Sequence, residues 1–157
     1  MKKFKVCILA AGVGSRMGGL SQYVNKAILP INYKAVISHI IEKFDKDIEI
    51  IIAVGHKKET VIDYAQLAHP DRKIKFVEVD KYVGPGTGPG YSLLLCKDLL
   101  QTPFVFFAAD TIVLENIPSL EKNWFGIAPV KRPEQYCTVQ IKDNLVVQID
   151  DKVTTNN

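Results

Sequence analysis

Cysteine is scarce in this chain, and neither sign of charge is in large excess. Cys7, Cys96 and Cys137 are the only cysteines in 157 residues. They are odd in number, far apart and set in apolar segments. That leaves no metal-ligand spacing and no disulfide framework, so reduced core thiols are expected. The net charge is +3, with the lysines and arginines scattered along the chain, so a nucleic-acid-binding stripe is not indicated. No run approaches the roughly 18 uninterrupted apolar residues of a membrane span. Met1-Lys2-Lys3 mimics the start of a signal peptide. The apolar run behind it, however, ends in Gly12-Val13-Gly14-Ser15-Arg16 with no credible cleavage region, so no targeting is read and a cytoplasmic location is the default expectation. Two familiar phosphate signatures are also missing. No window fits Gly-x-x-x-x-Gly-Lys-Ser/Thr. The dinucleotide fingerprint fails because Met17 holds the third glycine's place, and Gly55-His56 stands where an acidic residue is required.

What is present is a different phosphate-binding arrangement. The apolar run from Phe4 to Ala11 is short and β-branched enough for a buried strand. Gly12 and Gly14 then let the backbone turn and approach a ligand without Cβ interference. Successive N–H groups in such a loop form a concavity for an anion. Arg16 adds a guanidinium suited to phosphate oxygens, and Lys26 adds a second cation ten residues on. An ordinary tight turn is the alternative for two glycines after a strand. The two cations favour a polyphosphate site.

These residues carry a resemblance. Leu9-Ala10-Ala11-Gly12-x-Gly14-Ser15-Arg16-Met17, followed by Lys26-Ala27-x-Leu29-Pro30, resembles the opening of the sugar-phosphate nucleotidyltransferases, the NDP-sugar pyrophosphorylases. In that family the lysine usually follows a proline; here Asn25 takes the proline's place. The resemblance implies nucleotide contacts from Leu9, Ala11, Gly12, Gly14, Ser15 and Arg16.

The rest of the chain alternates strand and helix. Val36, Ile37, Ile40, Ile41 and Phe44 recur at helical spacing, 48–54 reads as a fully buried strand, and 58–68 as a helix stopped by Pro70. Further strands are expected over 74–79 and 104–109, with a helix over 91–100 between them. This order implies a three-layer α/β/α fold with a mostly parallel, Rossmann-like sheet, the nucleotide-diphospho-sugar transferase type of the family it resembles. Strands are also expected over 124–130, 136–141 and 145–149, with a hairpin turn at Lys142-Asp143-Asn144. A 47% hydrophobic content suits one core, so 1–153 reads as a single domain and 154–157 as a frayed tail. His39 and His69 are expected in solvent, and His56 in a turn rather than as a base.

Three further features bear on chemistry. Asp110 follows the strand 104–109 at the sheet edge where open α/β folds bind ligands, and its carboxylate suits Mg²⁺. A helix or turn cap is the alternative. The resemblance implies that this aspartate holds the catalytic magnesium. Four glycines in the seven residues 84–90 form a second loop, with a helix N-terminus behind it. The resemblance implies that Gly86, Thr87 and Gly88 approach the nucleoside base; a rigid connector is the alternative. Asp151-Lys152 resembles the family's acid–lysine pair at the sugar phosphate, or else closes a hairpin at the surface.

The implied reaction joins an NTP to a sugar 1-phosphate, giving NDP-sugar and pyrophosphate, with Arg16, Lys26 and Asp110 as the catalytic residues and Mg²⁺ as cofactor. The partners are an NTP and a phosphorylated small-molecule acceptor, without nucleic acid or membrane. Phosphocholine or another small phosphomonoester is an alternative acceptor for a cytidylyltransferase, with Tyr91-Ser92-Leu93 as the hint. A nucleotide-binding regulatory domain without turnover is a second alternative. Members of the family continue well past the segment matched by Asp151-Lys152. The expectation is therefore a catalytic unit truncated at its C-terminus, which binds nucleotide with weak or absent turnover. An open strand edge would also invite pairing with a second copy.

Overall fold

The computed structural model describes residues 4–151. Lys152 and the expected tail 154–157 lie outside the described residues. The chain packs as one compact unit running to Leu120 and another beginning at Glu121.

In the first unit, β1 (Lys5–Ala10) is followed by a small ribbon of β2 (Pro30–Ile31) and β3 (Lys34–Ala35). Then come α1 (Val36–Ile41), β4 (Glu49–Val54), α2 (Lys58–Ala68), β5 (Ile74–Glu78), α3 (Pro89–Leu95) and β6 (Phe104–Ala108). Four strands form a parallel sheet in the order β5-β4-β1-β6, with Leu9 opposite both Ala53 and Ala108. Residues 6–10 and 50–54 are apolar without polar alternation, which suits strands covered on both faces, and all of them are buried. Each fully buried isoleucine there contributes roughly 1.5–3 kcal/mol relative to exposure.

The two faces are covered by different helices. Cys7, Leu9, Ala11, Ile51 and Ala53 pack with Val79, Cys96 and Leu100, so α3 and the segment after it close one side. On the other side Phe107 meets Phe44 just beyond α1, with ring centroids 5.9 Å apart. Ser38 of α1 meets Tyr64 of α2 at 2.8 Å, which sets those two helices side by side. The expected three-layer α/β/α order is borne out.

Several expectations are corrected. The helix expected to run to Phe44 stops at Ile41, because Arg72 Nη2 reaches over to the main-chain oxygens of Ile41 and Phe44 (2.6 Å to the latter). The helix expected over 91–100 starts earlier, with proline in its first turn, and after Cys96 tightens into a 3₁₀ turn over Lys97–Leu99. His39 and His69 are half-buried and bonded rather than solvated. His39 Nε2 lies 2.9 Å from the Ile31 oxygen, and His69 Nε2 lies 2.7 Å from Ser38 Oγ. Cys7 and Cys96, remote in sequence, share one core cluster, and hydrogen bonding between the two thiols raises the pKa of Cys7.

In the second unit, β7 (Cys137–Lys142) and β8 (Leu145–Asp151) form an antiparallel hairpin. Asp143 and Asn144 both have positive φ, 51° and 59°, the backbone of a two-residue I′ turn that Asp and Asn tolerate. Cys137 is exposed, not a core thiol. No strand forms over 124–130, where Gly126 and Pro129 interrupt the aromatic and β-branched pattern.

Burial pushes the pKa of His69 below the ordinary value of 6.5. An unfolded chain therefore takes up this proton at a higher pH than the folded one, and stability contributed by neutral His69 is present above pH 6.5 and lost as pH falls below it. In urea denaturation at pH 5 to 7, His69→Gln is expected to flatten the acid-side fall in stability; an unchanged slope would exclude His69 as its source.

Candidate active site

The loop after β1 is shaped by Gly14. Its φ of 65° and ψ of 43° are left-handed, and it caps the 3₁₀ segment Ser15–Gln22, with Met17 N–H donating to the Gly14 oxygen at 2.8 Å. A Cβ at Gly14 would lie 3.4 Å from Cδ of Lys26. The left-handed turn favours glycine here, while the lysine stem lies at ordinary contact distance. Gly12 differs: its φ is not positive, and a Cβ there would meet nothing within 4 Å. The open space beside Gly12 leaves room for a ligand, but the turn itself does not need glycine at that position. Ser15 and Arg16 are exposed on the segment that follows.

Lys26 lies at the start of a short 3₁₀ turn, Lys26–Ile28, capped by the side chain of Asn25. Its stem lies along Gly14, and its Nζ meets Oδ2 of Asp110 at 2.6 Å across a gap of 84 residues. Asp110 follows β6. Ala109 N–H donates to the Leu9 oxygen at 3.1 Å, which fixes this chain end beside β1. Among the described residues, the hydrogen-bond partner of the Asp110 carboxylate is Lys26, not a main-chain N–H as a cap would require. The first glycine loop, Lys26 and Asp110 are thus brought together at the carboxyl edge of one parallel sheet, where such sheets bind ligands.

His56, two residues past β4, is a tether rather than a base. Its N–H donates to the Ala11 oxygen at 2.9 Å, its oxygen accepts from Asn25 Nδ2 at 2.7 Å, and its ring lies 2.7 Å from the Ser21 oxygen. Asn25 is the functional residue that sequence reading passed over; only its departure from the family pattern marked it.

The second glycine loop has left-handed φ at Gly84 and Gly86 (94° and 79°), with Gly88 at 143°. Thr87 Oγ1 donates to the Gly84 oxygen at 2.7 Å, and a Cβ at Gly86 or Gly88 would meet nothing. The loop is therefore internally braced, with an open outer face. The helix behind it has only seven residues and begins with a proline that has no N–H, so it offers less to an anion than a longer helix would. Tyr91 and Ser92 turn away from a ligand-facing role. Tyr91 OH donates to Asp80 Oδ1 at 2.6 Å, holding that carboxyl below its ordinary pKa, and Ser92 is buried against the Gly88 oxygen.

Asp151 closes β8 opposite Cys137 in the second unit, and its expected partner Lys152 lies outside the described residues. Among the described residues no cluster of three or more His, Cys, Asp or Glu is placed to hold a metal. One carboxylate, Asp110, with a side chain 38% exposed, fits a hard ion that keeps most of its waters and takes its other oxygens from phosphates. No helix among the described residues is long and apolar enough to cross a membrane.

Comparison with known proteins supports the same family. The bifunctional protein GlmU of Methanocaldococcus jannaschii is 33% identical over 149 residues, which take in 92% of this chain and 35% of that protein. A solved CTP:phosphocholine cytidylyltransferase from Streptococcus pneumoniae superposes with a TM-score of 0.71 at 29% identity, covering 94% of this chain and 64% of its own. A Bacillus anthracis structure assigned as a glucose-1-phosphate thymidylyltransferase and holding sucrose also gives a TM-score of 0.71, over 96% and 65%, at 23% identity; that likeness carries the fold. The chain spans about a third of the length of the GlmU proteins it matches. A profile of the MobA-like NTP transferase domain matches residues 6–117, a stretch that takes in both glycine loops, Lys26 and Asp110. On that extent, and in line with the resemblance read from residues 9–30, the chain belongs to the MobA-like NTP transferase family.

Proposed function

We propose that the chain transfers a nucleoside monophosphate from an NTP to a sugar 1-phosphate, releasing pyrophosphate. The observation that carries this reading is the 2.6 Å contact between Lys26 and Asp110 beside the Gly14 turn. It joins the first glycine loop, a partly exposed cation and a hard carboxylate at one sheet edge. In the proposed reaction an oxygen of the acceptor phosphate attacks the α-phosphorus in line, and the bond to the β-phosphate breaks. The acceptor is already ionised, so no base is required; the protein contributes alignment and charge. Main-chain N–H groups around Gly12, Gly14 and Ser15, with Arg16, would hold the β- and γ-phosphates. Lys26 would bridge the α-phosphate and the incoming phosphate. Asp110 would hold Mg²⁺, which when bound supplies charge neutralisation and a template for the phosphates. Gly86, Thr87 and Gly88 would face the base.

A second reading keeps the chemistry and changes the acceptor to phosphocholine. The 29% identity to the streptococcal cytidylyltransferase favours it. Pyrophosphate release across four NTPs, each with a panel of sugar 1-phosphates and with phosphocholine, separates the two. The expected result is product from a sugar 1-phosphate and none from phosphocholine with CTP. Stabilisation by Mg²⁺-nucleotide in a thermal-shift assay, without product from any acceptor, would keep nucleotide binding and remove turnover by these 157 residues.

Lys26→Ala is expected to cut turnover by about two to three orders of magnitude, roughly 3–4 kcal/mol, the scale of one preorganised charge contact. The same change removes the ammonium that competes for Asp110. Without nucleotide, titration calorimetry should therefore show Mg²⁺ binding unchanged or tighter, and weaker binding would contradict the assigned roles.

Asp110→Asn is expected to abolish Mg²⁺-dependent nucleotide binding with little change in melting temperature, because a partly exposed ion pair is worth only about 0–1 kcal/mol. The reverse pattern, a lower melting temperature with nucleotide affinity intact, would return Asp110 to a structural role.

A further inference from the structure

We infer that Asn25 is a positioning residue for Lys26: its buried amide fastens the turn that carries Lys26 to the carboxyl ends of β1 and β4. The inference rests on the role given to Lys26 above.

Asn25 is wholly buried. A buried amide is costly unless its polar atoms are used, and here both amide hydrogens and the oxygen are. Nδ2 donates to the Ala10 oxygen at 2.8 Å and to the His56 oxygen at 2.7 Å. Oδ1 accepts from Ala27 N–H at 2.9 Å, capping the turn that begins at Lys26. The two chain ends that Asn25 bridges are already in close contact. His56 N–H reaches the Ala11 oxygen at 2.9 Å, and a Cβ on Gly55 would come within 2.9 Å of that same oxygen and 2.8 Å of Tyr82 Cδ1. Asn25 therefore ties the Lys26 turn to a rigid junction.

The backbone at Asn25, φ −73° and ψ 141°, is one that proline also adopts, and proline is the usual residue here in the family the sequence resembles. Proline would supply the shape of the turn but none of the three side-chain bonds. In this chain the bonds set where Lys26 begins, and hence how its stem lies along Gly14 and its Nζ reaches Asp110. A displacement of about 1 Å at such a group is enough to cost orders of magnitude in rate.

The test reads Lys26 itself. Acylation of each lysine by acetic anhydride is followed by mass spectrometry, with and without each of the four NTPs plus Mg²⁺. In the unaltered chain, Lys26 is expected to react slowly and to be protected further by nucleotide. In Asn25→Ala its free reactivity should rise several-fold and its protection fall about tenfold. In Asn25→Ser, whose hydroxyl can still cap Ala27 N–H, both should be partly restored. Leu100→Ala, a core truncation under α3, serves as a control that lowers stability; it should leave both readouts of Lys26 unchanged. If Asn25→Ala and Asn25→Ser lower the melting temperature but leave Lys26 reactivity and protection as in the unaltered chain, Asn25 is structural only and the inference is overturned. If either variant fails to fold, the other decides. Should both fail, a junction that folding itself requires replaces the positioning role. If no NTP protects Lys26 in the unaltered chain, the role of Lys26 fails first and this inference falls with it.

Discussion

Everything at the candidate site depends on parallel pairing of β1 between β4 and β6. Three strands that run the same way and pair in register, with Leu9 opposite Ala53 and Ala108, must release their following loops at one edge. The loop after β1 carries the glycine turn, the loop after β4 carries Gly55 and His56, and the loop after β6 carries Asp110. The Lys26 turn, farther along the connection that follows β1, is drawn back among them because Asn25 bonds to the ends of β1 and β4 and Lys26 itself reaches Asp110. The strands are held by apolar burial along their length, so the partly exposed Lys26–Asp110 pair at their ends adds little to the stability of the core.

Within the cluster, two kinds of polar interaction have different work. The Asn25 amide is buried and neutral, with both hydrogens donated, so each bond lost would leave a main-chain oxygen unpaired in an apolar setting, at roughly 1–3 kcal/mol each. The Lys26–Asp110 pair is partly exposed, so it adds little net energy and separates readily. The proposed site would admit phosphates and a metal ion, and for that it needs charges that can exchange partners on a fixed frame. The buried amide supplies the frame and the exposed pair supplies the exchange.

The strands, the parallel order, the first glycine loop and the two charged residues were legible because each leaves a local mark. Continuous apolar runs read as buried strands, and Gly14, Lys26 and Asp110 stand where the family resemblance implies site residues. The hairpin turn at Asp143-Asn144 was legible for the same reason: a positive-φ pair has few possible compositions. What could not be read were relations across the chain. Nothing local shows that Asn25 is wholly buried or that its partners lie 15 and 31 residues away. The pairings of Ser38 with His69 and of His39 with the Ile31 oxygen are equally invisible, and so both histidines were expected in solvent. The expected strand over 124–130 fails in the opposite way, since the composition suits a strand but Gly126 and Pro129 break it.

The second glycine loop combines an open face with side chains that brace it from within. Its open outer face and left-handed glycines suit close approach of a planar group, as expected of residues that meet a base. Yet its side chains are spent on bracing. Thr87 holds the Gly84 oxygen, Tyr91 holds Asp80 across the base of the loop, and Ser92 is turned in toward Gly88. With those groups engaged, what the loop can offer a base is main-chain N–H and C=O. Main-chain groups read a base by its pattern of donors and acceptors at fixed positions, so in the proposed reading selectivity would depend on loop shape more than on any one side chain. The Asp80–Tyr91 bond sets that shape. It joins the chain just after β5 to α3, so in the proposed reading any nucleotide preference would be set there as much as by the glycines.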